Sequence, residues 1–258
     1  MPEADDHVSE VSRLYDRLAV NGPYGTLAPG NKGGRKAEYV AAVFDAALLS
    51  SLAAESRHGR ILDFGCGTGI FTRQAARVAD EVVGIDVSTG MLTQAESICS
   101  GLKNVRLLHT DGHHVPLADA CVDAVVAREV LCYVPDAQLP HVLAEIRRVT
   151  VPGGRFLWLE QVSDDPFWQR HAKAPNLVKR SPRSIRDAAR AAGWVVEAEH
   201  VVRTPRFPWI YPIWLGIVPR SLIPDLARRE VAFHSRTPER HRRRWWNSLF
   251  ELRNPAND

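Results

Sequence analysis

The sequence predicts an α/β fold in which helices cover both faces of a doubly wound, mostly parallel sheet of seven strands. Three observations support this fold. From Arg60 onward, short apolar runs alternate with helical stretches, which is the pattern of a parallel sheet. A glycine-rich turn follows the first apolar run, and acidic residues close the first three runs. Ligands of such sheets bind at the carboxyl ends of the strands.

We expect residues 1–258 to form a single domain with four parts. The parts are a helical cap (1–55), a ligand-binding core (56–203), an insertion on the acceptor side between the last two strands (204–244), and the last strand with a tail (245–258). The 258-residue chain is 45% hydrophobic and 24% charged. A chain of this length and composition buries a core without disulfides.

Charge and cysteine content exclude several classes of protein. The four cysteines lack metal-ligand or redox spacing, which predicts reduced thiols in a cytoplasmic protein. The acidic N-terminus does not resemble a signal peptide. The longest apolar stretch, 207–218, is too short to span a bilayer, although peripheral membrane contact stays open. A net charge of only +3 argues against nucleic acid as the main partner.

The predicted elements follow from periodicity and capping residues. The cap is expected to hold helices Val8–Leu18 and Ala37–Leu52, joined by a glycine-rich loop over 22–34. The strands are predicted at Ile61–Phe64, Glu81–Ile85, Val105–His109, Val122–Ala127, Arg155–Val162, Trp194–Val202 and Ser248–Arg253. The core helices are predicted at Ile70–Val78, Ser88–Ile98 with Ser88 as N-cap, Gln138–Val149, and from Ser181 to Gly193. Pro152-Gly153-Gly154 is expected to turn the chain before the fifth strand.

The strongest motif is the turn Asp63-Phe64-Gly65-Cys66-Gly67-Thr68-Gly69 between a strand and a helix. Glycines there let the backbone approach a ligand closely, and the helix N-terminus can orient amides toward it. Asp86 closes the second strand, where a carboxylate can bind both hydroxyls of a ribose. Asp111 follows the third strand, where it could accept a hydrogen bond from an adenine amino group.

This turn resembles the signature of class I S-adenosylmethionine-dependent methyltransferases, which have a Rossmann-like fold. Val83-Gly84-Ile85-Asp86-Val87-Ser88 and Asp111-Gly112 are also similar to that family, as is Asp123-Ala124-Val125-Val126 followed by Val130-Leu131-Cys132-Tyr133-Val134-Pro135-Asp136. Pro152-Gly153-Gly154-Arg155-Phe156 completes the set, and the resemblance covers roughly residues 36–203. It implies S-adenosyl-L-methionine as the cofactor and S-adenosyl-L-homocysteine as the product.

The resemblance also assigns roles to residues. Gly65, Gly67 and Gly69 would contact the methionine portion of the cofactor, and Asp63 would lie near its amino group. Asp86 would hold the ribose, Asp111 would reach the adenine, and Met91 would pack near the adenine ring or simply belong to the helix core. The remaining candidates for cofactor binding are Cys66, Val87, Gly112, Arg128 and Tyr15.

A nicotinamide dehydrogenase is the main competitor within this fold. Its Gly-x-Gly-x-x-Gly pattern would require a small residue at position 70, which is Ile70, while the third glycine is Gly69. This difference favours the methyl donor, which has no pyrophosphate to bind.

Glu129 and Tyr133 are the candidate catalytic residues, because both follow the fourth strand, which in the family that the chain resembles ends near the methyl group. A base there would help a hydroxyl acceptor by about 10²–10⁴-fold; an exposed helix-start acid is the alternative for Glu129. Glu160 and Gln161 end the fifth strand and are candidates for the acceptor pocket. Tyr15 and Tyr24 resemble the N-terminal cap of the family's small-molecule members and could cover the sulfonium through cation–π contact. The alternative for Tyr15 is a helix stripe packed on the sheet. His113 and His114 form only a weak metal candidate, and no metal site is predicted.

The insertion is expected to determine acceptor specificity. Its aromatic residues would line an acceptor pocket, form the core of a small helical subdomain, or make a surface patch that meets a membrane or a dimer partner; they include Phe207, Trp209, Tyr211, Trp214 and the neighbouring Leu215. The arginines would suit a phosphorylated acceptor or an anionic surface; they are Arg228, Arg229, Arg240, Arg242, Arg243 and Arg244.

The function predicted from the sequence is O- or N-methylation of a small metabolite, with a saccharide-type secondary metabolite as the first expectation. A lipid or quinone acceptor, a non-catalytic module that binds the cofactor, and a nucleic-acid methyltransferase are the alternatives. The last of these lacks an Asn-Pro-Pro-Tyr signature after the fourth strand. We expect a small-molecule acceptor, no nucleic-acid partner, and a monomer or homodimer.

Overall fold

The computed structural model describes residues 2–24, 34–54, 58–166, 177–205, 207–236 and 245–256. The strands are β1 (His58–Phe64), β2 (Ala79–Asp86), β3 (Val105–His109), β4 (Val122–Arg128), β5 (Thr150–Val162), β6 (Val195–Arg203) and β7 (Trp246–Arg253). The helices are α1 (Pro2–Ala19), α2 (Arg35–Leu52), α3 (Ile70–Ala75), α4 (Thr89–Ile98), α5 (Leu139–Val149), α6 (Pro182–Ala191), α7 (Ile210–Trp214) and α8 (Ile223–Arg236). Short 3₁₀ turns occur at Leu131–Tyr133 and Arg220–Leu222.

The seven strands form one sheet in the order β3-β2-β1-β4-β5-β7-β6. β1 pairs in parallel with β2 and with β4, whereas β7 runs antiparallel between β5 and β6. The strand order reverses between β1 and β4, so their carboxyl ends open a crevice in which ligands of such sheets bind. The predicted fold class, a seven-stranded, mostly parallel, doubly wound sheet, is confirmed.

Both faces of the sheet are buried, which explains why its strands read as continuous apolar runs. One hydrophobic cluster packs α5 and α6 against the sheet and contains Leu143, Ile146 and Ile185. The other packs α2, α3, α7 and α8 against the opposite face and contains Phe44 and Phe71. These two layers hold the strand ends, and therefore the crevice, in fixed positions.

Local capping agrees with the sequence at two helices. The Ser88 side chain accepts a hydrogen bond from the Met91 amide, and Ser181 forms a capping box with Ser184 in front of α6. Such caps satisfy backbone donors that the first helical turn leaves unpaired.

Several predicted boundaries differ from the structure, and two of the differences have a clear physical cause. Residues 152–154 do not end one element and begin another, because Thr150 already pairs with Val122 and Arg155 pairs with Ala124 in the same strand. The extra residues form a bulge inside β5, with Gly153 at φ 77°. The helix expected to reach Val78 ends at Ala75, because the amides of Arg77 and Val78 bond three residues back and tighten the chain into a turn.

The N-terminal helix of the cap docks on the end of β2 and the start of α4. Asp16 Oδ1 accepts hydrogen bonds from the Ser88 hydroxyl at 2.5 Å and the Gly90 amide at 2.9 Å. Ser12 Oγ donates to the Val87 carbonyl at 2.9 Å. These contacts place α1 beside the crevice. Part of the predicted loop over 22–34 lies outside the described residues.

The insertion supplies α7 and α8, which pack against α2 and β6. Their inner side is buried through Ile210, Ile213, Ile223 and Ala227. In the described ranges, the structure contains no helix that is both long and apolar enough to cross a bilayer.

Candidate active site

A cavity of about 680 Å³ lies at the carboxyl ends of the central strands. Its wall combines the glycine turn after β1, the end of β2, residues 128–134 after β4, and one side of α1. Leu177, Val178 and Lys179 close it from the segment before α6, and Arg203, Trp245 and Asn247 close it from the ends of β6 and β7. A volume of this size is typical of ligand-binding pockets.

The glycine turn is held by the end of β2. The amides of Gly65 and Cys66 both donate to the Ile85 carbonyl at 2.9 Å. Gly65 has φ 72°, and a Cβ there would lie 2.3 Å from Val130 Cγ2, so packing requires this glycine. Gly67 has φ 54°, and a Cβ there would meet nothing within 4 Å. Gly67 therefore exposes its bare backbone to the cavity, as expected for close approach of a ligand.

Asp86 lies at the junction of β2 with the glycine turn. Its Oδ2 accepts from the Gly67 amide at 2.8 Å, and its Oδ1 accepts from the Ser88 amide at 2.9 Å. Burial raises the pKa of Asp86, and these amide hydrogen bonds oppose the rise. Each carboxylate oxygen keeps a second lone pair, so Asp86, which lines the cavity, has the acceptors that a ribose diol requires.

Asp63 lies behind the turn and does not contribute to the cavity wall. Its Oδ2 accepts a hydrogen bond from the Thr72 hydroxyl at 2.6 Å. Burial raises the pKa of Asp63 to about 6, and the Thr72 hydrogen bond opposes this rise. The structure thus gives Asp63 a part in fixing the turn on α3, and its contact with the cofactor amino group stays a prediction.

Most of the other predicted cofactor residues line the cavity. They are Tyr15, Gly65, Cys66, Gly67, Val87, Met91, Gly112 and Arg128. Gly69 does not line the cavity; it has φ 78°, and a Cβ there would lie 2.9 Å from Ala95, so packing of the turn on α4 requires glycine.

Asp111 differs from its predicted placement. It is exposed and absent from the cavity wall. Its Oδ1 accepts from the amides of His113 at 2.9 Å and His114 at 2.8 Å, and these bonds lower the pKa of Asp111 although desolvation opposes them. Asp111 shapes the turn after β3, and its backbone neighbours Thr110 and Gly112 form the wall instead.

The two histidines of this turn do not assemble a metal site. His114 Nδ1 lies 2.6 Å from Glu145 Oε2, an interaction that ties the turn to α5. Within the described residues, no group of three or more His, Cys, Asp or Glu side chains is arranged to hold a metal ion.

Arg128, at the end of β4, is fixed from behind. Its Nη1 lies 2.7 Å from Asp45 Oδ1 on α2, and its guanidinium stacks over Phe71 at 5.7 Å. Both partners of the ion pair are nearly buried, so the guanidinium is held beside the cavity by charge and packing together.

Glu129 follows Arg128 and lines the cavity. It has φ 54°, a left-handed conformation that is rare for residues other than glycine and that clusters at functional sites. Its Oε1 accepts a hydrogen bond from Asn247 Nδ2 at 2.6 Å. Burial raises the pKa of Glu129 to about 8, the nearby Glu160 carboxyl adds to the rise, and the Asn247 hydrogen bond opposes it.

Glu160 is the second carboxyl of this region and is buried in the core. Its Oε2 accepts from the Trp158 indole at 3.2 Å. Burial raises the pKa of Glu160 as well, while the Trp158 hydrogen bond and Arg180 oppose the rise. Two carboxyls in one low-dielectric region do not both ionise readily, so the pair retains a proton near neutral pH. Gln161, the other residue expected to enter the acceptor pocket, lines the cavity.

Arg203 and Asn247 are site residues that sequence reasoning missed. The predicted sixth strand stopped one residue before Arg203, and the predicted seventh began one residue after Asn247, so both fell outside the strands. Arg203 Nη1 donates to Asn247 Oδ1 at 3.3 Å, and its guanidinium lies 5.7 Å from the Trp245 ring centre. The available signal was a polar residue directly beside the end of each predicted strand.

Tyr133 and Tyr15 meet edge to face across the cavity wall, with ring centres 5.3 Å apart. Burial raises the pKa of both phenols. A phenol with a raised pKa is a poor base near neutral pH, so Glu129 is the better candidate of the two catalytic predictions. His7 Nε2, 2.7 Å from the Tyr133 carbonyl, fixes this corner of the cap. Tyr24 does not line the cavity, whereas its neighbour Pro23 does.

The expected acceptor pocket of aromatic residues from the insertion does not occur among the described residues of 204–244. None of them lines the cavity, because α7 and α8 lie over α2 and β6 rather than over the strand ends. Phe207 packs against Phe233 and His234. Trp209, Tyr211, Trp214 and Leu215 are exposed. Arg240–Arg244 lie outside the described residues.

The comparisons with known proteins agree with this geometry. Residues 61–154 match a family described as methyltransferase domain. A malonyl-[acyl-carrier protein] O-methyltransferase of Pectobacterium atrosepticum is 32% identical over 137 residues, which cover 50% of this chain and 51% of that protein. A demethylmenaquinone methyltransferase of Tropheryma whipplei is 36% identical over 100 residues, covering 39% of this chain and 41% of that protein. The match thus spans about half the length of these relatives or less.

The solved structure of the [4+2]-cyclase SpnF has a TM-score of 0.66 and 20% identity, and the match covers 97% of each chain. At this identity the likeness concerns the fold alone. The name of that protein shows that the fold by itself does not specify the reaction.

The strand order, the glycine turn after β1 and the acidic residue at the end of β2 match the fold of class I S-adenosylmethionine-dependent methyltransferases. Residues 61–154 of this fold are the part that matches the family described as methyltransferase domain.

Proposed function

We propose that this chain transfers a methyl group from S-adenosylmethionine to an oxygen or nitrogen atom of a small acceptor, with Glu129 as the general base. The observation that carries the proposal is the position of Glu129. This carboxyl lines the same cavity as the glycine turn, in a left-handed conformation, and has a pKa of about 8.

The cavity residues fit the cofactor. Gly67 leaves room beside its backbone, and Asp86 offers free lone pairs next to it. Met91, fully buried, and Val87 supply an apolar surface for a base ring. When bound, S-adenosylmethionine supplies a methyl group on a positively charged sulfur, which is already a good leaving group.

The residues of the chain then have two tasks. The first is to align the acceptor with the methyl group, which contributes roughly 7–11 kcal/mol in well-oriented systems. The second is to remove the acceptor proton: the acceptor lone pair forms the new bond to carbon, and the Glu129 carboxylate takes the proton. A base with a pKa close to the working pH suits this transfer.

The acceptor is proposed to carry a hydroxyl group, because Glu129, Gln161 and Asn247 offer polar contacts on one wall. A saccharide-type acceptor, the expectation from the sequence, remains the first proposal. A specific observation favours a second candidate, a lipid or quinol-type acceptor. Val40, Phe44, Leu177 and Trp245 give the cavity an apolar wall that suits a ring or an isoprenoid chain.

Calorimetric titration with S-adenosylmethionine, followed by methyl-transfer assays with a panel of sugars and of isoprenoid phenols, tests the proposal. Glu129→Gln should bind the cofactor as the wild type does and lose about 10²–10⁴-fold in turnover. The exposed Glu96→Gln is the matched control and should keep both properties. Cofactor binding without turnover of any acceptor would favour a binding module, and absence of binding would refute the assignment of the site.

A further inference from the structure

Seven large apolar side chains of the insertion are exposed, and we define them as the insertion patch. They are Trp209, Tyr211, Trp214, Leu215, Ile217, Leu222 and Phe233. In the described residues, only two other large apolar side chains are comparably exposed, Val20 and Val195. Leu215 is 64% exposed and Ile217 is 72% exposed. Apolar surface concentrated in this way typically marks an interaction site.

The patch is not an unfinished core, because the inner side of the insertion is already packed. Ile210, Ile213 and Ile223 are buried against α2 and β6. The outer side is also held in place. Arg35 of α2 donates through Nε to the Ile213 carbonyl at 3.2 Å and through Nη2 to the Val218 carbonyl. The exposed side chains therefore project from a segment that is fixed on the domain.

Charge separates the insertion from the rest of the molecule. Residues 204–244 contain nine arginines and three acidic residues, a formal charge of +6. The whole chain carries +3, so the other 217 residues carry −3. Arg228 and Arg229 are exposed on α8, the helix that also exposes Phe233. The apolar patch thus belongs to a segment of positive net charge.

We propose that the insertion patch docks the protein on an anionic lipid surface. Tryptophan and tyrosine are favoured at the boundary between headgroups and acyl chains, and leucine and isoleucine beside them gain by burial in the acyl region. Each arginine near an anionic membrane adds about 1 kcal/mol of attraction, roughly fivefold in binding. A second copy of this chain is a poorer occupant, because a two-fold interface would oppose two segments of charge +6.

The insertion is continuous in sequence with two residues of the cavity wall, because it starts directly after Arg203 and ends directly before Trp245. The docking proposal does not depend on the methyl-transfer proposal, since it concerns the outer surface of α7 and α8.

Flotation of the full chain with vesicles tests the proposal. The wild type should float with vesicles of phosphatidylcholine and phosphatidylglycerol in equal parts, remain unbound with phosphatidylcholine alone, and dissociate at high salt. Leu215→Ser combined with Ile217→Ser should weaken binding by about tenfold or more, and Arg229→Glu by at least about fivefold.

The matched controls substitute equally exposed residues elsewhere. Val20→Ser combined with Val195→Ser, and separately Arg77→Glu, should leave flotation unchanged. Equal flotation of the patch variant and the wild type would overturn the proposal, as would equal loss in the controls. Concentration-dependent dimerisation that the patch variant abolishes, without flotation of the wild type, would also overturn it in favour of self-association. Circular dichroism and thermal unfolding of each variant verify that it is folded.

Discussion

Asn247 joins Arg203 to Glu129 through the two ends of one amide. Its Nδ2 donates to Glu129 Oε1 at 2.6 Å, and its Oδ1 accepts from Arg203 Nη1 at 3.3 Å. A guanidinium has no acceptor, so Arg203 can bind only the oxygen of the amide and turns the nitrogen toward Glu129. The hydrogen bond that Glu129 receives therefore favours its ionised form, the form that accepts a proton.

Asn247→Ala should raise the pKa of Glu129 above about 8. The loss of a hydrogen bond to a charged group corresponds to about one pH unit, so the ascending limb of log kcat/KM should move to higher pH by that amount. Ser248→Ala, on the opposite face of β7, is the control and should leave the profile in place. An unchanged midpoint in Asn247→Ala would show that this amide does not position the base.

Glu160→Gln should move the ascending limb of log kcat/KM to lower pH. Burial is the main cause of the raised pKa of Glu129, and the Glu160 carboxyl adds to it. A neutral amide at position 160 removes that repulsion, so the pKa of Glu129 should fall below about 8 and activity should persist at lower pH. Steady-state rates from pH 5 to 10 would measure the shift; a midpoint that rises in this variant would contradict the assignment of Glu129.

Asp86→Asn and Asp111→Asn should have different effects on cofactor affinity, although the sequence assigned both residues to the cofactor site. Asp86 borders the cavity, and its substitution should weaken binding of S-adenosylmethionine by about 10–100-fold, which is the cost of hydrogen bonds to a charged acceptor. Asp111 is exposed in a turn outside the wall, so its substitution should change the affinity by about threefold or less. Isothermal titration calorimetry measures both, and equal losses would restore Asp111 to the adenine site.

Alanine substitutions at Gly65 and Gly67 should distinguish a glycine that packing requires from a glycine that cofactor binding requires. Gly65→Ala would place a Cβ 2.3 Å from Val130 Cγ2 and should cost about 3 kcal/mol or more of unfolding free energy. Gly67→Ala meets open space, so it should cost only about 1–2 kcal/mol for its left-handed backbone while it weakens cofactor binding. Urea denaturation and calorimetry would give the two quantities for each variant. Similar stability of the two variants would contradict the steric reading of Gly65.

Glu145 should make the free energy of unfolding fall as the pH is lowered into the acid range. Its hydrogen bonds with Arg148 lower its pKa to about 2, against desolvation. A carboxyl with a depressed folded-state pKa stabilises the fold above its unfolded value near 4.5, and this contribution is lost as pH falls toward 2. Glu145→Gln should therefore lose about 2–3 kcal/mol at pH 7 and show a flatter decline between pH 5 and 2. Denaturation at several pH values measures it; parallel curves would contradict the assignment.

The turn from Asp63 to Gly69 and Asp86 were predictable because they depend on short-range rules. Strands that are continuous apolar runs, helices with caps such as Ser88, and glycines at positive φ are specified by neighbours in the sequence. The order of the strands then follows from the fold class that this pattern defines. Asp111 shows the limit of such reasoning: its position after β3 was right, but its carboxylate bonds the amides of His113 and His114 rather than facing the cavity.

The sequence by itself determined the sheet, the glycine turn and the acidic residue beside it, since each is encoded within a few consecutive residues. Only the tertiary structure decided what surrounds Glu129. Asn247 lies 118 residues further along the chain, and Arg203 and Glu160 come from two further strands. A local sequence pattern therefore cannot predict that these residues surround Glu129. The pKa of Glu129 depends on burial and on these neighbours, and the outer position of the insertion depends on packing against α2 and β6. Both are properties of long-range contacts, which form only when the sheet is assembled.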